Sequence, residues 1–457
     1  MTVRSFSLED NRAFAVESGD RNPIHVDPAL ARRSPFGSPV VHGVHQVLWA
    51  LDQGLTGPSR LIRLKAQFPV PLRIVDEARV EATAVSPGML KLRVMTSGRI
   101  TADIEAEVAS LGAPTDLAAW QAELQPEPCR PMTLEALADD AGDLDLALPP
   151  APHRLAPDQT AFLLGLTRLV GMRAPGLYSL FSAFDVRFSD HAQPGPRLLY
   201  KVDKVDPRFA RLVIAVDGDI ATGQVIAFRR PEPQRQPSAA MLAPLVADRP
   251  FAGRRALVIG GSRGLGEVSA KLLAMGGADV RLSYHVGADD AAAVVEDIRT
   301  AGGGASAFAY DAVDTRAGLP ADPDWRPTDL YYFATASIGM NDVGQFDPVL
   351  FARYCAIYVE GFSRVVRAAL KQADGPLRVF YPSTEYLDRP ATRAIEYAAA
   401  KAAGETVGDQ LVAAFPALKI HHPRLPRLAT DQTLSFSTPV STQPGGVMAE
   451  MLRAAMG

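Results

Sequence analysis

The chain has 457 residues, 47% hydrophobic and 21% charged, a globular composition that excludes wholesale disorder and predicts about three domains. Its 47 basic against 51 acidic residues leave a net charge of −4, so no basic surface for nucleic acid or anionic membrane is implied. Two cysteines, Cys129 and Cys355, make no disulfide framework. With a polar N-terminus and no apolar run of the ~18 residues a membrane span needs, they predict a cytoplasmic protein.

The first informative string is Ser18-Gly19-Asp20-Arg21-Asn22-Pro23-Ile24-His25. An aspartate and a histidine five apart, separated by a proline that stiffens the turn, can converge on one water molecule, and Asn22 can orient either side chain. Pro39-Val40-Val41-His42-Gly43 then opens an amphipathic helix pattern, His42–Leu55, whose free N–H groups can bind an oxygen as charge develops on it. Strand-like residues follow from Leu61 and from Arg79. His42, His45, His421 and His422 invite a metal reading, but no cysteine or acid joins them at zinc-ligand spacing, so no metal is expected.

A proline-rich break at Gln125–Met132 separates a first domain, 1–124, from a second, 133–230. The second copies the first distantly: a helix pattern from Gln159, a Gly/Pro turn, then strands from Leu177 and from Leu198. A long helix against a curling antiparallel sheet, present twice, is the α+β layout of a double hotdog. Residues 231–250, rich in proline, glutamine and alanine, read as a linker with one short helical turn. From 251 to 457 strand and helix alternate, which predicts an α/β, Rossmann-type, doubly wound parallel sheet.

Gly260-Gly261-Ser262-Arg263-Gly264-Leu265-Gly266 joins the first strand of this third domain to a helix. Glycines at 260, 264 and 266 allow a tight turn, so that a pyrophosphate can rest on the helix N-terminus against Ser262, Arg263 and Leu265. The second strand ends Ser283-Tyr284-His285 without an acid. With Arg263 in the loop and His285 as a further contact, that favours the 2′-phosphate of NADP(H) over NAD, and Asp311 suits an adenine contact. In Tyr397-Ala398-Ala399-Ala400-Lys401 the spacing i, i+4 sets an ammonium beside a phenol, favouring its ionised form. Such a tyrosine can protonate a carbonyl oxygen as hydride arrives, and Ser383 or Thr384 can polarise the same carbonyl.

Over about residues 252–435 this constellation resembles the short-chain dehydrogenase/reductase family, in particular its 3-oxoacyl reductase branch. The resemblance implies Tyr397 as proton donor, Lys401 as its partner on the ribose, and Ala429-Thr430-Asp431 near the nicotinamide carboxamide. It departs from the family at Phe333-Ala334-Thr335-Ala336, where Asn-Asn-Ala-Gly is usual, and at Tyr358, where the helix asparagine is expected. Residues 5–110 resemble the MaoC-like, (R)-specific enoyl-thioester hydratase family, most closely in SGDRNPIHVD and SPFGSPVVHG. That resemblance implies Asp20 and His25 as the acid/base pair acting on an acyl thioester of CoA or acyl carrier protein. It also implies Gly43 as the oxyanion donor, with the motif-less second domain widening the acyl tunnel. Together these imply a bifunctional reductase and dehydratase, dimeric through the third domain.

Overall fold

The computed structural model describes residues 3–74, 76–110, 116–117, 120, 124–189, 195–336, 338, 343–433 and 442–456. The chain divides into two compact units, one of Met1–Glu232 and one beginning at Pro233.

In the first unit β1 (Val3–Ser5) leads into α1 (Leu8–Ser18). Ser7 and Asp10 form a capping box at the start of α1, and Gly19, at φ +72°, ends it. Then come α2 (Pro23–Val26), α3 (Pro28–Ala31), α4 (Gly43–Gly54) and four strands: β2 (Ser59–Gln67), β3 (Glu77–Ser86), β4 (Met89–Thr96) and β5 (Arg99–Ser110). A second series follows: α5 (Leu134–Leu137), β6 (Ala141–Asp145), α6 (Pro157–Arg168), β7 (Ser179–Phe188), β8 (Arg197–Asp206), β9 (Arg211–Asp217) and β10 (Ala221–Arg229). All ten strands make one sheet, ordered β1-β3-β4-β5-β2-β7-β10-β9-β8-β6. Outward from the antiparallel β2–β7 pair, each half runs second, fifth, fourth, third, first strand of its own series. Two copies of one topology therefore join edge to edge, which leaves neither central edge unpaired. Eleven of the twelve residues of α6 are buried, as are seven of the twelve of α4, so the two helices carry the core of this unit. The end of α6 widens into a π-helical turn, Leu169–Arg173.

The second unit begins before the doubly wound sheet. The expected linker 231–250 holds a short helix, as anticipated, but it is packed: α7 (Ala239–Leu242) and a 3₁₀ turn, Ala243–Val246, bury Ala239, Leu242 and Val246 in the core of this unit. Ser238 caps α7, and the apolar spacing i, i+3, i+7 turns one side inward. The expected break at Gln125–Met132 is likewise built in, because the Arg130 N–H donates to the Met172 carbonyl and Pro131 bridges to Gly176. Six parallel strands, β11 (Arg255–Ile259), β12 (Asp279–Tyr284), β13 (Gly304–Ala309), β14 (Asp329–Tyr332), β15 (Leu377–Phe380) and, after the two-residue β16 (Ser383–Thr384), β17 (Leu418–His421), are ordered β13-β12-β11-β14-β15-β17. The two-residue β18 (Arg424–Leu425) pairs with β16. The helices are α8 (Gly264–Met275), α9 (Ala288–Thr300), α10 (Pro348–Cys355), α11 (Phe362–Gln372), α12 (Ile395–Ala414) and α13 (Pro444–Ala454). Strand order reverses between β11 and β14, and a crevice at such a switch is where open α/β sheets bind ligands.

Candidate active sites

The turn after α1 carries the first site. Asn22 caps α2 through its side-chain oxygen, while its amide donates to the carbonyls of Gly171 (2.9 Å) and Gly176 (3.0 Å) and to Ser179 Oγ (3.2 Å). Pro23 at the first helical position then fixes where His25 emerges. His25 Nδ1 lies 2.7 Å from the Val40 carbonyl. A carbonyl only accepts, so Nδ1 carries the proton in the neutral ring and Nε2 keeps its lone pair. Asp20 is 1% exposed; Oδ2 accepts from the Thr167 hydroxyl at 2.7 Å and Oδ1 from the Asn22 N–H at 3.2 Å. Burial pushes the Asp20 carboxyl up and the His25 imidazole down, each partly offset by the charge of the other. The pair is thus drawn toward a shared, movable proton.

The second copy of the fold makes the opposite wall. A Cβ on Gly171 would collide with all three carboxyl atoms of Asp20, so only glycine lets the π-helical turn approach. Gly43 opens α4, and a Cβ there would meet the Phe68 ring at 2.8 Å; its N–H is one of the unpaired donors of a helix start. Thr167 and Gly171 carry no motif, and sequence reasoning missed them; only the helix pattern from Gln159 pointed to their helix.

An acid does join the histidines, which corrects the expectation drawn from spacing. Asp20, His25 and His42 present possible ligand atoms within 4.8 Å of one another. His42 comes from the start of α4, 22 residues from Asp20, and stacks on His25 with ring centroids 3.7 Å apart. Its Nε2 faces the Asp20 backbone carbonyl at 3.1 Å and must be protonated to bond it, which removes that lone pair from a metal. His25 has one free nitrogen and Asp20 is already hydrogen-bonded, so the set fits proton transfer better than ligation.

In the second unit Gly260 and Gly264 adopt φ of +81° and +58°. A Cβ on Gly266 would overlap the Gly260 carbonyl, so the loop is a cradle that side chains would fill. Ser262 is buried in it, Leu265 packs against the core beneath, and the Gly260 N–H donates to Ser283 Oγ. These features suit a pyrophosphate on the start of α8. Thr430 lies against Gly264, and Arg263 Nη1 stands 4.0 Å from Asp431 Oδ2. The end of β12 lacks an acid in sequence but gains one in space: Asp311 Oδ2 is 3.7 Å from His285 Nδ1.

The Thr384 hydroxyl lies near enough to Tyr397, on α12, to favour the ionised phenol. Ser383 instead donates to Glu405, which Arg424 holds by two bonds of 3.1 and 2.9 Å. Of the two hydroxyls, Thr384 is therefore the one at the phenol. Lys401, expected beside that phenol, takes a backbone partner. Lys401 Nζ donates to the Pro382 carbonyl at 2.7 Å and sits 4.2 and 4.6 Å from the rings of Tyr358 and Tyr381, against 5.9 Å from that of Tyr397. Burial pulls the ammonium down to about 7 and pushes the Tyr397 phenol up. Tyr358, whose hydroxyl meets Thr335 at 2.7 Å, fills the space over the lysine.

The chain thus has one unit with a ten-stranded sheet and a buried Asp20–His25 pair, and a second, doubly wound unit with a glycine-lined loop at the start of α8. Residues 2–106 match the MaoC like domain. Over 107 residues the chain is 35% identical to the (R)-specific enoyl-CoA hydratase of Aeromonas caviae, covering 21% of this chain and 78% of the relative. Over 97 residues it is 34% identical to the 3-hydroxybutyryl-CoA dehydratase of Methylorubrum extorquens, covering 20% of this chain and 62% of the relative's length. Through these N-terminal residues the chain belongs to the MaoC-like family. It is also similar to a solved 3-oxoacyl (acyl-carrier-protein) reductase from Agrobacterium tumefaciens with NADP bound, at 27% identity over 40% of this chain and 73% of that one, with a TM-score of 0.36. Among the described residues no helix is long and apolar enough to cross a membrane.

Proposed function

We propose that the first unit, a double hotdog, interconverts (R)-3-hydroxyacyl and 2-enoyl thioesters, and that the second reduces 3-oxoacyl thioesters with NADPH to supply the 3-hydroxyacyl species. The observation that carries this reading is the buried Asp20–His25 pair with His25 Nδ1 committed to Val40. In dehydration His25 Nε2 takes the Cα proton, Asp20 gives its proton to the departing β-hydroxyl, the Cα–Cβ double bond forms and water leaves. Hydration is the reverse. The Gly43 N–H meets the thioester oxygen as it gains charge. The (R) assignment and the CoA thioester are drawn from the hydratase and dehydratase relatives, and an acyl-carrier-protein thioester belongs to the same proposal.

In the second unit a bound nicotinamide would supply hydride, its pyrophosphate held by Gly260, Gly264 and Gly266 and its adenosine end beside Arg263, His285 and Asp311. Tyr397 gives its proton to the carbonyl oxygen and Thr384 orients that oxygen. NADP rather than NAD, and a homodimer through this unit, belong to the same proposal. One observation favours a second reading, in which only the hydratase is active: Lys401 is wrapped by Tyr358 and Tyr381 and not set against the Tyr397 phenol. Full-length protein, Asp20→Asn and Tyr397→Phe assayed on 3-hydroxyacyl and 3-oxoacyl thioesters of CoA and of acyl carrier protein test both. Asp20→Asn should lose ~10²–10⁴-fold of hydration and keep reduction, and Tyr397→Phe should do the opposite. Wild-type hydration by a folded Asp20→Asn protein overturns the first assignment. Reduction absent from wild type, with hydration intact, establishes the second reading.

A further inference from the structure

We propose that Arg230 is a positioning residue of the hydratase site: it braces the backbone on which Asn22 rests and holds a fixed positive charge beside His25. The inference rests on the Asp20–His25 reading. Arg230 directly follows β10, where the sequence suggests the start of a linker, yet it is 5% exposed. Its N–H donates to the Tyr178 carbonyl at 2.7 Å, its Nη2 to the Leu177 carbonyl at 2.8 Å, and its guanidinium stacks 5.4 Å from the Tyr178 ring. The same Leu177 carbonyl is approached by the Asn22 amide at 3.4 Å, which also holds Gly176 and Ser179 on either side. Arg230 therefore steadies the segment that fixes Asn22, and Asn22 fixes the turn between Asp20 and His25.

The charge itself is unusual. Among the described residues no carboxylate lies within ion-pair distance of Arg230, and its Nε has no hydrogen-bond partner. A buried cation without an ion partner costs stability, a cost that the bond to Leu177 relieves only in part. Its field reaches His25, where it opposes protonation, and Cys129, which donates to the Gly171 carbonyl at 2.9 Å. The groups acting on His25 are Asp20 from the turn after α1, His42 stacked on it from α4 and, through its field, Arg230 from the end of β10. His45, one turn along α4, is turned away onto the Phe14 ring, 4.4 Å between centroids. Burial is the main force that keeps His25 Nε2 available as a base; Asp20 draws a proton onto the ring, and Arg230 opposes that draw.

The test uses full-length protein carrying Arg230→Gln, which retains a donor for Leu177 and loses the charge, and Arg230→Lys, which retains the charge. NMR titration of labelled histidines, with His25 assigned by His25→Gln, reads the ring directly and does not depend on turnover. Arg230→Gln should move the His25 titration, and the acid limb of the dehydration pH profile, where His25 must be the free base, to higher pH by about one unit, a tenfold loss of dehydration rate on the acid side. Arg230→Lys should leave the titration in place while raising KM through the lost brace. A folded Arg230→Gln protein whose His25 titrates as in wild type overturns the proposal. Should the Gln variant not fold, a shifted His25 titration in Arg230→Lys overturns it and an unshifted one with raised KM sustains it. Wild type without hydratase activity, but with His25 shifted by Arg230→Gln, refutes the functional reading and leaves the electrostatic one standing.

Discussion

Replacing Thr167 by valine removes one hydroxyl and almost no volume, so it isolates the bond to Asp20. That hydroxyl, 2.7 Å from Oδ2 and 2% exposed, is the side-chain donor that favours the charged carboxylate against its burial, assisted by the Asn22 N–H. A hydrogen bond to a charged acceptor contributes about 1.5–3 kcal/mol, which corresponds to roughly one to two units of carboxyl pKa. Hydration requires Asp20 to begin as the carboxylate that receives a proton from water. Thr167→Val should therefore lower kcat about 10–100-fold at neutral pH and move the hydration profile to higher pH, with KM little changed. Thr167→Ser, which can restore the donor, should recover most of the rate. The loss of enoyl absorbance across a pH series, with a melting curve to establish folding, measures this. A folded Thr167→Val protein with wild-type kcat and an unmoved profile would show that Thr167 merely packs.

Two other outcomes follow from charges elsewhere. Arg263→Ala should weaken NADPH by roughly 10–150-fold, the range of one lost contact to a charged group, and leave NADH nearly unchanged; equal losses in titrations of the two cofactors would make Arg263 structural, through Asp431. His153, bonded to Asp52 at 3.0 Å and Glu17 at 3.4 Å, is raised to about 9, chiefly by those hydrogen bonds. Its folded value exceeds the unfolded value of about 6.5, so its contribution, about 3 kcal/mol at most, is complete below pH 6.5 and is lost as pH rises through 9. Denaturant unfolding of His153→Gln should show a deficit at about pH 6 that closes above about pH 9, and a constant deficit would contradict the assignment.

Local structure was legible in the sequence alone. The Asp20-to-His25 string works within six residues, because Asn22 caps the very turn it belongs to and Pro23 sets the helix start. The glycine loop is equally local, since the positive φ at Gly260 and Gly264 needs glycine whatever surrounds it. Strand and helix alternation after residue 251 sufficed for a parallel sheet, because periodicity reflects which face is buried. What depended on packing was not legible. Thr167 meets Asp20 across 147 residues, and neither spacing nor propensity records such a contact. Ser383 is committed elsewhere because Glu405 of α12, itself held by Arg424 of β18, accepts its hydroxyl. The i, i+4 rule placed Lys401 on the same face as Tyr397, but the direction of its ammonium was decided by Tyr358, Tyr381 and the Pro382 carbonyl. Proton affinities follow the same division: residue type sets the starting value, and burial, which exists only once distant segments close around the group, moves it.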